Sequence, residues 1–382
     1  MSLSTLALVG LSCLQTAAAV SAVDPSVPKL MRRDPALLQG TPEGALLDAA
    51  SFANSSSASE DQEMLRIVYD SLRPMNGQVQ VQAQMDRVPP TQQAISQMCL
   101  LSNQATDTRS YLASKPFHDN VQEGIKMVKD QRLIITGLWR QIGSVAVRRI
   151  WDSLNALGSF FRDYQMIMLE NDSTDDTKQA IKDVCGEEQR AWCFELNGLG
   201  RQALHAGVRD RVKGLTALRQ TMLMKIREFD PAGAYNYVMM VDADIFAEGS
   251  GGFDIASALS AFTMTSPTGN NADAVCAFQV AGRSANYYDT FAHRGPECKF
   301  ENLAGQPYCA AQSCGGGMVL YTMAAIHQSM CNYQYINEQT CEHVPFNVCL
   351  ASHSHGRVFL YKPWSVAMAA GGTRSDWNCV SV

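Results

Sequence analysis

Short apolar runs alternate with amphipathic stretches along the chain beyond about Lys126. The runs are rich in β-branched and apolar residues and predict strands, whereas the stretches between them repeat apolar residues at helical spacing. Four predicted strands are residues 132–139, 164–170, 191–196 and 235–244. Strands that alternate with helices indicate an α/β fold, in which a parallel sheet binds ligands outside the carboxyl ends of its strands.

The first 22 residues have a different pattern. They carry no charge, are mostly apolar from Leu6 to Val20, and end in the small residues Ser21 and Ala22. This predicts a cleaved signal peptide over 1–22, with an uncleaved anchor as the alternative because a basic amino-terminal region is missing. No other segment reaches the roughly 18 apolar residues that a membrane span needs.

Residues 23–107 are rich in Ser, Ala, Gln and Pro and contain few apolar clusters. This composition predicts a low-complexity stem that is disordered or partly helical, followed by a folded domain over 108–382. Asn54 and Ser56 form a glycosylation sequon, which suits an exposed lumenal segment.

Composition narrows the class of protein. A chain of 382 residues with 46% hydrophobic residues can bury a large core, and a net charge of -6 argues against nucleic acid as a partner. The twelve cysteines of a secreted chain predict disulfides, and eleven remain if Cys13 leaves with the leader. Because no CxxC pair occurs, a structural zinc site is poorly supported.

The segment VMMVDADIF places Asp242 and Asp244 at the carboxyl end of a predicted buried strand. Extended backbone would direct both side chains to one side. Neighbouring carboxylates are costly to bury unless a cation compensates, and oxygen ligands suit Mg²⁺ or Mn²⁺. The pair therefore predicts a metal site for the diphosphate of a nucleotide-sugar, although a DxD triplet can also simply cap a turn.

A second turn, in MIMLENDSTDDT, follows the predicted strand that ends at Glu170. Oxygens and free N–H groups at Asn171, Asp172 and Ser173 could bind a base, ribose or phosphate. The alternative is a well-capped helix with Ser173 or Thr174 as its cap. Asn171 also begins a second sequon, which should be unused if the turn lines a donor pocket.

Six motifs in order, ENDSTDDT, RDRVKGLTALRQ, VDADIF, YYDTFAHR, CGGGMVLY and CEHVPFNVCLA, resemble the fungal capsule-associated α-1,3-mannosyltransferase family and, more distantly, the wider GT-A glycosyltransferases. The resemblance covers about residues 132–364. It implies a GT-A fold, meaning a Rossmann-like, mixed and mostly parallel sheet flanked by helices. It also implies a nucleotide-sugar donor such as GDP-mannose, Mn²⁺ or Mg²⁺ as cofactor, and a lumenal location.

The resemblance also implies roles for single residues. It places Glu170, Asn171 and Asp172 near the donor nucleotide, with Asp242 on the metal and donor. Arg211 and Arg219 are expected near the donor diphosphate, on one face of one predicted helix because they are eight residues apart. The alternative for each arginine is a solvated helical surface.

Later motifs imply contacts with the sugars. Tyr288 and Asp289, with Tyr287 beside them, are expected to contact sugar, core packing being the alternative, and the glycines of CGGGM would let backbone approach a ligand unless they form only a flexible turn. Glu342 is the candidate general base if the reaction inverts, whereas a retaining reaction, which the resemblance implies, requires no protein base.

Histidine 343 is a candidate substrate-binding residue or a buried capping histidine. Many GT-A enzymes take a third metal ligand from a late histidine. Here His353 and His355 precede the segment RVFLYKPW and no histidine follows it, so the third ligand is uncertain.

The residue patterns predict a metal-dependent transferase that moves a sugar from a nucleotide-sugar to a hydroxyl of a glycan or glycoprotein in the Golgi or ER lumen. The resemblance implies mannose as first choice of sugar and a retaining reaction. The catalytic residues of this transferase would be Asp244 and Glu342. The alternative is an inactive GT-A-like glycan-binding protein. A glycoside hydrolase is disfavoured because hydrolase carboxylates usually lie on separate strands. P-loop and dinucleotide-binding motifs are missing from the sequence.

Overall fold

The computed structural model describes 56–75, 97–101, 110–197, 208–246, 252–266, 269–281, 287, 289–299, 303, 305–353, 357–368 and 377–381. The predicted signal peptide, most of the predicted stem, the Asn54 sequon and Tyr288 lie outside these residues. Two units divide the chain, Met1–Met64 and Leu65–Val382. In the first unit the described residues, 56–64, are helical. None of the helices within the described ranges is both long and apolar enough to cross a membrane.

The strands and helices follow the alternation predicted from the sequence. The strands are β1 (Leu72–Pro74), β2 (Gln97–Leu101), β3 (Arg132–Trp139), β4 (Asp163–Asn171), β5 (Ala191–Leu196), β6 (Tyr237–Asp242), β7 (Gly252–Phe253), β8 (Ala274–Ala281), β9 (Tyr308–Ala311), β10 (Met318–Thr322), β11 (Val358–Met368) and β12 (Trp377–Ser381). The helices are α1 (Ser56–Ser71), α2 (Lys115–Val128), α3 (Ser144–Gly158), α4 (Thr177–Glu187), α5 (Val208–Phe229), α6 (Ile255–Ala261), α7 (Met323–Ser329) and α8 (His343–His353).

Ten strands form one mixed sheet in the order β1-β5-β4-β3-β6-β10-β8-β11-β7, with β9 beside β11. Strands β5, β4, β3 and β6 are parallel, and β11 is parallel to β8. Strand β10 lies antiparallel between β6 and β8. The predicted α/β class, a Rossmann-like mixed sheet flanked by helices, is confirmed. Strands β2 and β12 pair separately.

The core lies between the sheet and its helices. Leu133, Ile134 and Ile135 of the central strand β3 are fully buried, as expected for a strand covered on both faces. Apolar residues recur at helical spacing from Val145 to Leu157, and helix α3 buries most of this stripe. Its residues in contact with the core are Val147, Ile150, Trp151, Leu154 and Leu157. Val145 differs: it lies in the first turn and is 73% exposed.

Disulfides are confirmed as the main use of cysteine. The described pairs are Cys185–Cys193, Cys276–Cys314, Cys298–Cys309 and Cys331–Cys349. Cys341 is a buried free thiol. Within the described ranges, the one group of three ligand-type side chains close enough to hold a metal is Cys331, Cys349 and His353. Because both of its sulfurs are already bonded to each other, this group is a disulfide beside a histidine.

Residues within the predicted stem belong to the main sheet. Strand β1 pairs antiparallel with β5, inside the second unit. The predicted domain boundary at 107/108 stays a prediction. Next to this strand, Lys225 of α5 is buried with its Nζ 4.4 Å from the ring centre of Tyr69, 5.3 Å from Phe194 and 5.6 Å from Trp192. The ammonium also lies 2.7 Å from Glu228.

Replacing Lys225 by methionine should therefore destabilise the protein by about 2 kcal/mol, because three cation–π contacts and a partly buried ion pair are lost while the alkyl stem is retained. Equilibrium denaturation measures this free energy of unfolding. Lys115→Met is the control, since the Lys115 side chain is 83% exposed and pairs with Asp119 on the surface. Equal stabilities for Lys225→Met and the wild type would show that the rings do not stabilise the ammonium.

Candidate active site

The aspartates of the DxD triplet lie where strand β6 ends. Asp242 is the last residue of β6, and Ala243–Phe246 form a short 3₁₀ helix. The expectation that extended backbone carries both aspartates is therefore wrong for Asp244. Ala243 and Ile245 are buried in the core, whereas Asp242 is partly exposed and Asp244 is exposed. The alternation of apolar and acidic residues anchors the segment and leaves both carboxylates outside the core.

Arg219 of α5 joins two acidic segments of the site. Its Nη2 donates to Oδ1 of Asp242 at 2.8 Å, and its Nε donates to Oε1 of Glu342 at 2.9 Å. Because Arg219 is only 7% exposed, the solvated-surface interpretation is wrong for this residue. Arg211 lies in the first turn of the same helix and is exposed, and its charge acts on Asp244.

The charge balance at Asp244 favours a cation. Desolvation by the surrounding protein and the charge of Asp242 raise the pKa of Asp244 to about 6, although Arg211 and Arg219 oppose this shift. The side chain is still open to solvent at the edge of the site, so the carboxylate is accessible to a ligand. The raised pKa of Asp244 beside a second carboxylate, that of Asp242, fits a hard divalent cation such as Mn²⁺ or Mg²⁺. Among the described residues, no third His, Cys, Asp or Glu joins them as a ligand group.

Glu342 is buried next to helix α8. Burial by itself would raise the pKa of Glu342, but Arg219 and His343 oppose this and lower it to about 2. Its second oxygen, Oε2, accepts from the Cys341 thiol at 3.3 Å. The carboxylate is therefore ionised and hydrogen-bonded at both oxygens.

His343 begins helix α8 and is 5% exposed. Burial, assisted by the charge of Arg219, lowers the pKa of His343 to about 4, so the ring is neutral at physiological pH. The Tyr333 ring packs edge-on against the His343 ring, with ring centres 5.9 Å apart. The Nδ1 atom of His343 is buried without a hydrogen-bond partner. A role of His343 in binding substrate stays a prediction. Its burial at the start of α8 agrees with the alternative, a buried capping histidine.

Three consecutive glycines form a tight support beneath the aspartates. The Asp242 N–H donates to the carbonyl of Gly317 at 2.7 Å. Gly316 and Gly317 have φ values of +85° and +74°, which side-chain-bearing residues rarely adopt. A Cβ at Gly315 would lie 2.4 Å from Oδ2 of Asp289. The glycine loop is thus tightly packed against the protein. It is not a flexible turn, and it leaves no open space beside Gly315 for a ligand.

Asp289 and Tyr287 hold this glycine loop. Asp289 accepts from the N–H groups of Ala292 at 3.2 Å and Gly316 at 3.3 Å, and the Tyr287 hydroxyl accepts from Gly315 at 3.1 Å. Burial raises the pKa of Asp289 to about 6, although its backbone donors oppose this. Tyr287 is 4% exposed, which agrees with the core-packing alternative. Sugar contact by Asp289 stays a prediction.

The ENDSTDDT segment stabilises a neighbouring loop. Helix α4 begins at Thr177, so Ser173 and Thr174 are not its caps, contrary to expectation. Instead Thr177 Oγ1 accepts from the N–H groups of Ile142 at 3.0 Å and Gly143 at 2.8 Å. Asp176 likewise accepts from Ser144 at the start of α3. The segment thus caps α3, a role that only the three-dimensional structure reveals.

The residues predicted near the nucleotide end strand β4. Glu170 is fully buried and accepts from the Ser173 N–H at 2.6 Å, while its Oε2 lies 3.5 Å from Lys178. Asn171 is 2% exposed and has a buried Oδ1 without a hydrogen-bond partner. In the folded protein the Asn171 sequon is therefore inaccessible, as expected for an unused one. Asp172 follows with a left-handed φ of 51°.

Replacing Thr177 by the isosteric valine should lower the free energy of unfolding by about 2 kcal/mol, because two backbone N–H groups lose their acceptor at a fully buried position. Denaturant titration provides the measurement. Thr174→Val is the matched control, since Thr174 is exposed and its hydroxyl accepts from the Gln141 side chain on the surface. Equal losses for the two variants would contradict this capping role.

The fold brings most predicted site residues together at the end of β6. Asp242, Asp244, Arg219 and Glu342 are linked by contacts or by charge, and Asp289 acts on Asp244 electrostatically. Glu170 pairs in register with Trp139 of β3, whereas the preceding residue Leu138 pairs with Asp242. The nucleotide turn and the metal pair thus end neighbouring strands. Sequence reasoning missed Cys341 and Thr177, although each lies within a recognised motif, CEHVPFNVCLA and ENDSTDDT respectively.

No protein-family model matches the chain, and no curated protein matches it. Solved structures do show similarity. TarS of S. aureus, residues 1–349, has 12% identity and a TM-score of 0.35, with 62% of this chain and 60% of that chain covered. The chain therefore spans about three fifths of the length of that structure.

Two further solved structures are similar. One is the mannosyltransferase PcManGT from Pyrobaculum calidifontis in complex with GDP-Man and Mn²⁺, with 13% identity, a TM-score of 0.38 and coverage of 71% and 69%. The other is GalNAc-T7 with UDP, GalNAc and Mn²⁺, with 10% identity, a TM-score of 0.37 and coverage of 62% and 43%. At these identities and TM-scores, the likenesses carry no argument about substrate or mechanism.

Proposed function

We propose that this chain is a metal-dependent glycosyltransferase that moves a sugar from a nucleotide-sugar to a hydroxyl of a glycan or glycoprotein. Mannose from GDP-mannose is the first candidate and transfer with retention the first stereochemical choice, both on the motif resemblance. The observation that carries the proposal is the pair Asp242 and Asp244 at the end of β6, with Arg219 2.8 Å from Asp242. Such a site gathers acidic and basic groups of the kind that a metal and a diphosphate require.

The residues divide the work by charge. Asp242 and Asp244 would hold Mn²⁺ or Mg²⁺, which when bound supplies a Lewis acid for the charge on the departing nucleoside diphosphate. Arg211, exposed near Asp244, is the cation that can approach a phosphate. Glu170, Asn171 and Asp172 would contact the nucleotide at the end of β4. The buried Oδ1 of Asn171, which has no hydrogen-bond partner in the protein, supports a donor-bearing ligand there.

A hydrolysis screen tests donor, metal and catalysis together. Purified protein is incubated with GDP-mannose, UDP-GlcNAc or UDP-GalNAc, with Mn²⁺ or with a chelator, and release of the nucleoside diphosphate is measured. We expect turnover of one donor that stops when the metal is removed. No turnover of any donor, together with glycan binding but no nucleotide binding in calorimetry, would instead support an inactive glycan-binding protein, which the missing third ligand among the described residues favours.

We further propose that the protein works in the lumen of the secretory pathway, in the Golgi or ER. The four described disulfides support an oxidising compartment. Protease protection of the protein in intact microsomes would test the location, and digestion without detergent would contradict it.

A further inference from the structure

Glu342 lies in the position of a candidate general base, but its surroundings suit another role. The side chain is 5% exposed, so an acceptor hydroxyl has almost no path to it. Oε1 accepts from Arg219 Nε at 2.9 Å, and Oε2 accepts from Cys341 Sγ at 3.3 Å. A general base must come within hydrogen-bond reach of the proton it removes. Both oxygens of Glu342 already have donors inside the protein.

We infer that Glu342 is a positioning residue that acts through Arg219 on Asp242, and that it does not deprotonate the acceptor. This inference rests on the proposed function. It assigns Glu342, Arg219 and Asp242 to one chain of charge-assisted hydrogen bonds that ends at the metal pair.

The chain of contacts gives the positioning a physical basis. The guanidinium of Arg219 is planar, so its Nε and Nη2 donors keep a fixed relation to each other. With Nε bound to Glu342, Nη2 meets Oδ1 of Asp242 at 2.8 Å. This hydrogen bond fixes Oδ1, and with it the plane in which the Asp242 carboxylate can meet a cation. Glu342 thus fixes the orientation of a metal-binding carboxylate that it does not touch.

The charges agree with this role. Arg219 is a single cation between the carboxylates of Glu342 and Asp242. Removing one member of a buried ion pair leaves the charge of the other without compensation. The pKa of Glu342, lowered to about 2 against the effect of burial, keeps it ionised across the physiological range. A carboxylate held so firmly in its ionised form is a weak proton acceptor.

The test uses Glu342→Gln, Arg219→Met and the double variant of the full chain. Calorimetry measures the Kd of GDP and of UDP, each with Mn²⁺. We expect Glu342→Gln to raise the Kd by about 10- to 100-fold, as outer-sphere substitutions at metal sites do. We also expect the double variant to bind no more weakly than Arg219→Met alone, because Glu342 acts through Arg219.

A general base gives a different result. Loss of a base would leave the Kd unchanged, slow transfer to the acceptor, and add its effect to that of Arg219→Met, and this outcome would overturn the inference. If the wild type binds neither diphosphate with Mn²⁺, the proposed function itself fails. If the wild type binds and only the Kd of Glu342→Gln stays unchanged, the positioning role alone fails.

Two further variants guard against trivial outcomes. Glu187→Gln, at the exposed ion pair with Arg148, is the matched control and should keep the wild-type Kd. Should Glu342→Gln not fold, Arg219→Lys replaces it, since lysine keeps the charge but cannot donate in the same fixed geometry to both carboxylates. We expect the same rise in Kd for Arg219→Lys, and an unchanged Kd would overturn the inference.

Discussion

Replacing Asp244 by asparagine should lower metal-dependent donor turnover by about a thousandfold and, in the metal-free protein, raise the melting temperature. Turnover is lost because one of two charged oxygen ligands is removed. The protein then binds the cation more weakly, and the charge on the leaving diphosphate is less well stabilised. The gain in stability follows from the local charge, because Asp242 and desolvation both disfavour the ionised form of Asp244. One substitution should thus separate function from folding.

The pH dependence follows from the direction of the shift. The pKa of Asp244 is raised from 3.8 to about 6 in the folded protein. The folded protein therefore binds a proton at Asp244 more tightly than the unfolded chain does. Its contribution to stability is full below pH 3.8 and is lost as the pH rises through about 6. Asp244→Asn should therefore gain stability over the metal-free wild type near pH 7 and lose that advantage at about pH 4.

Thermal unfolding with chelator at both pH values, and the donor assay with Mn²⁺, measure the two effects. Asp130→Asn is a suitable control, because the Asp130 side chain is 72% exposed beside Lys129 and should change neither quantity. Full activity of Asp244→Asn would remove the central claim of the proposed function.

Local patterns predicted four of the twelve described strands, because each of these four is encoded by its own residues. The strand predicted over 132–139 is observed as Arg132–Trp139, and the strand predicted over 164–170 is observed as Asp163–Asn171. Alternation of strands with helices then fixed the parallel half of the sheet. The antiparallel insertion of β10 between β6 and β8 has no such local signature, since strand pairing joins residues distant in sequence.

The candidate site was predictable as a set of residues and not as a set of contacts. Strand-end position pointed to Asp242 and Glu170, and the motif resemblance pointed to Arg219 and Glu342. The contact between Arg219 and Glu342, however, spans 123 positions, and periodicity has no information about it. In the same way, no local pattern indicates that the hydroxyl of Thr177 accepts from a loop 34 to 35 residues earlier.

Replacing Gly316 by alanine should cost about 3 kcal/mol or more of folding free energy and reduce turnover by about a hundredfold. The backbone at Gly316 has a φ of +85°, which alone disfavours a Cβ, and that Cβ would lie 2.2 Å from the carbonyl oxygen of Ala277. The Ala277 carbonyl cannot move away from the added Cβ, because Ala277 is a buried residue of β8. The strain must therefore shift the glycine loop itself.

A shift of this loop reaches the metal pair directly. The carbonyl of Gly317, one residue on, accepts from the N–H of Asp242 at 2.7 Å, and Asp289 holds Gly316 from the other side. Moving Gly317 displaces the backbone that carries Asp242, and a displacement of about 1 Å at a catalytic group is enough to cost about a hundredfold in rate.

Gly186→Ala is the matched control, because Gly186 lies in helix α4 with no atom within 4 Å of its added Cβ. Alanine there should stabilise the protein by about 0.5 to 1 kcal/mol and leave turnover unchanged. Denaturation and donor turnover of the two variants, measured side by side, distinguish a general effect of replacing glycine from a specific effect beneath the aspartates. If Gly316→Ala were as stable and as active as Gly186→Ala, the loop could not be the support that sets the position of Asp242.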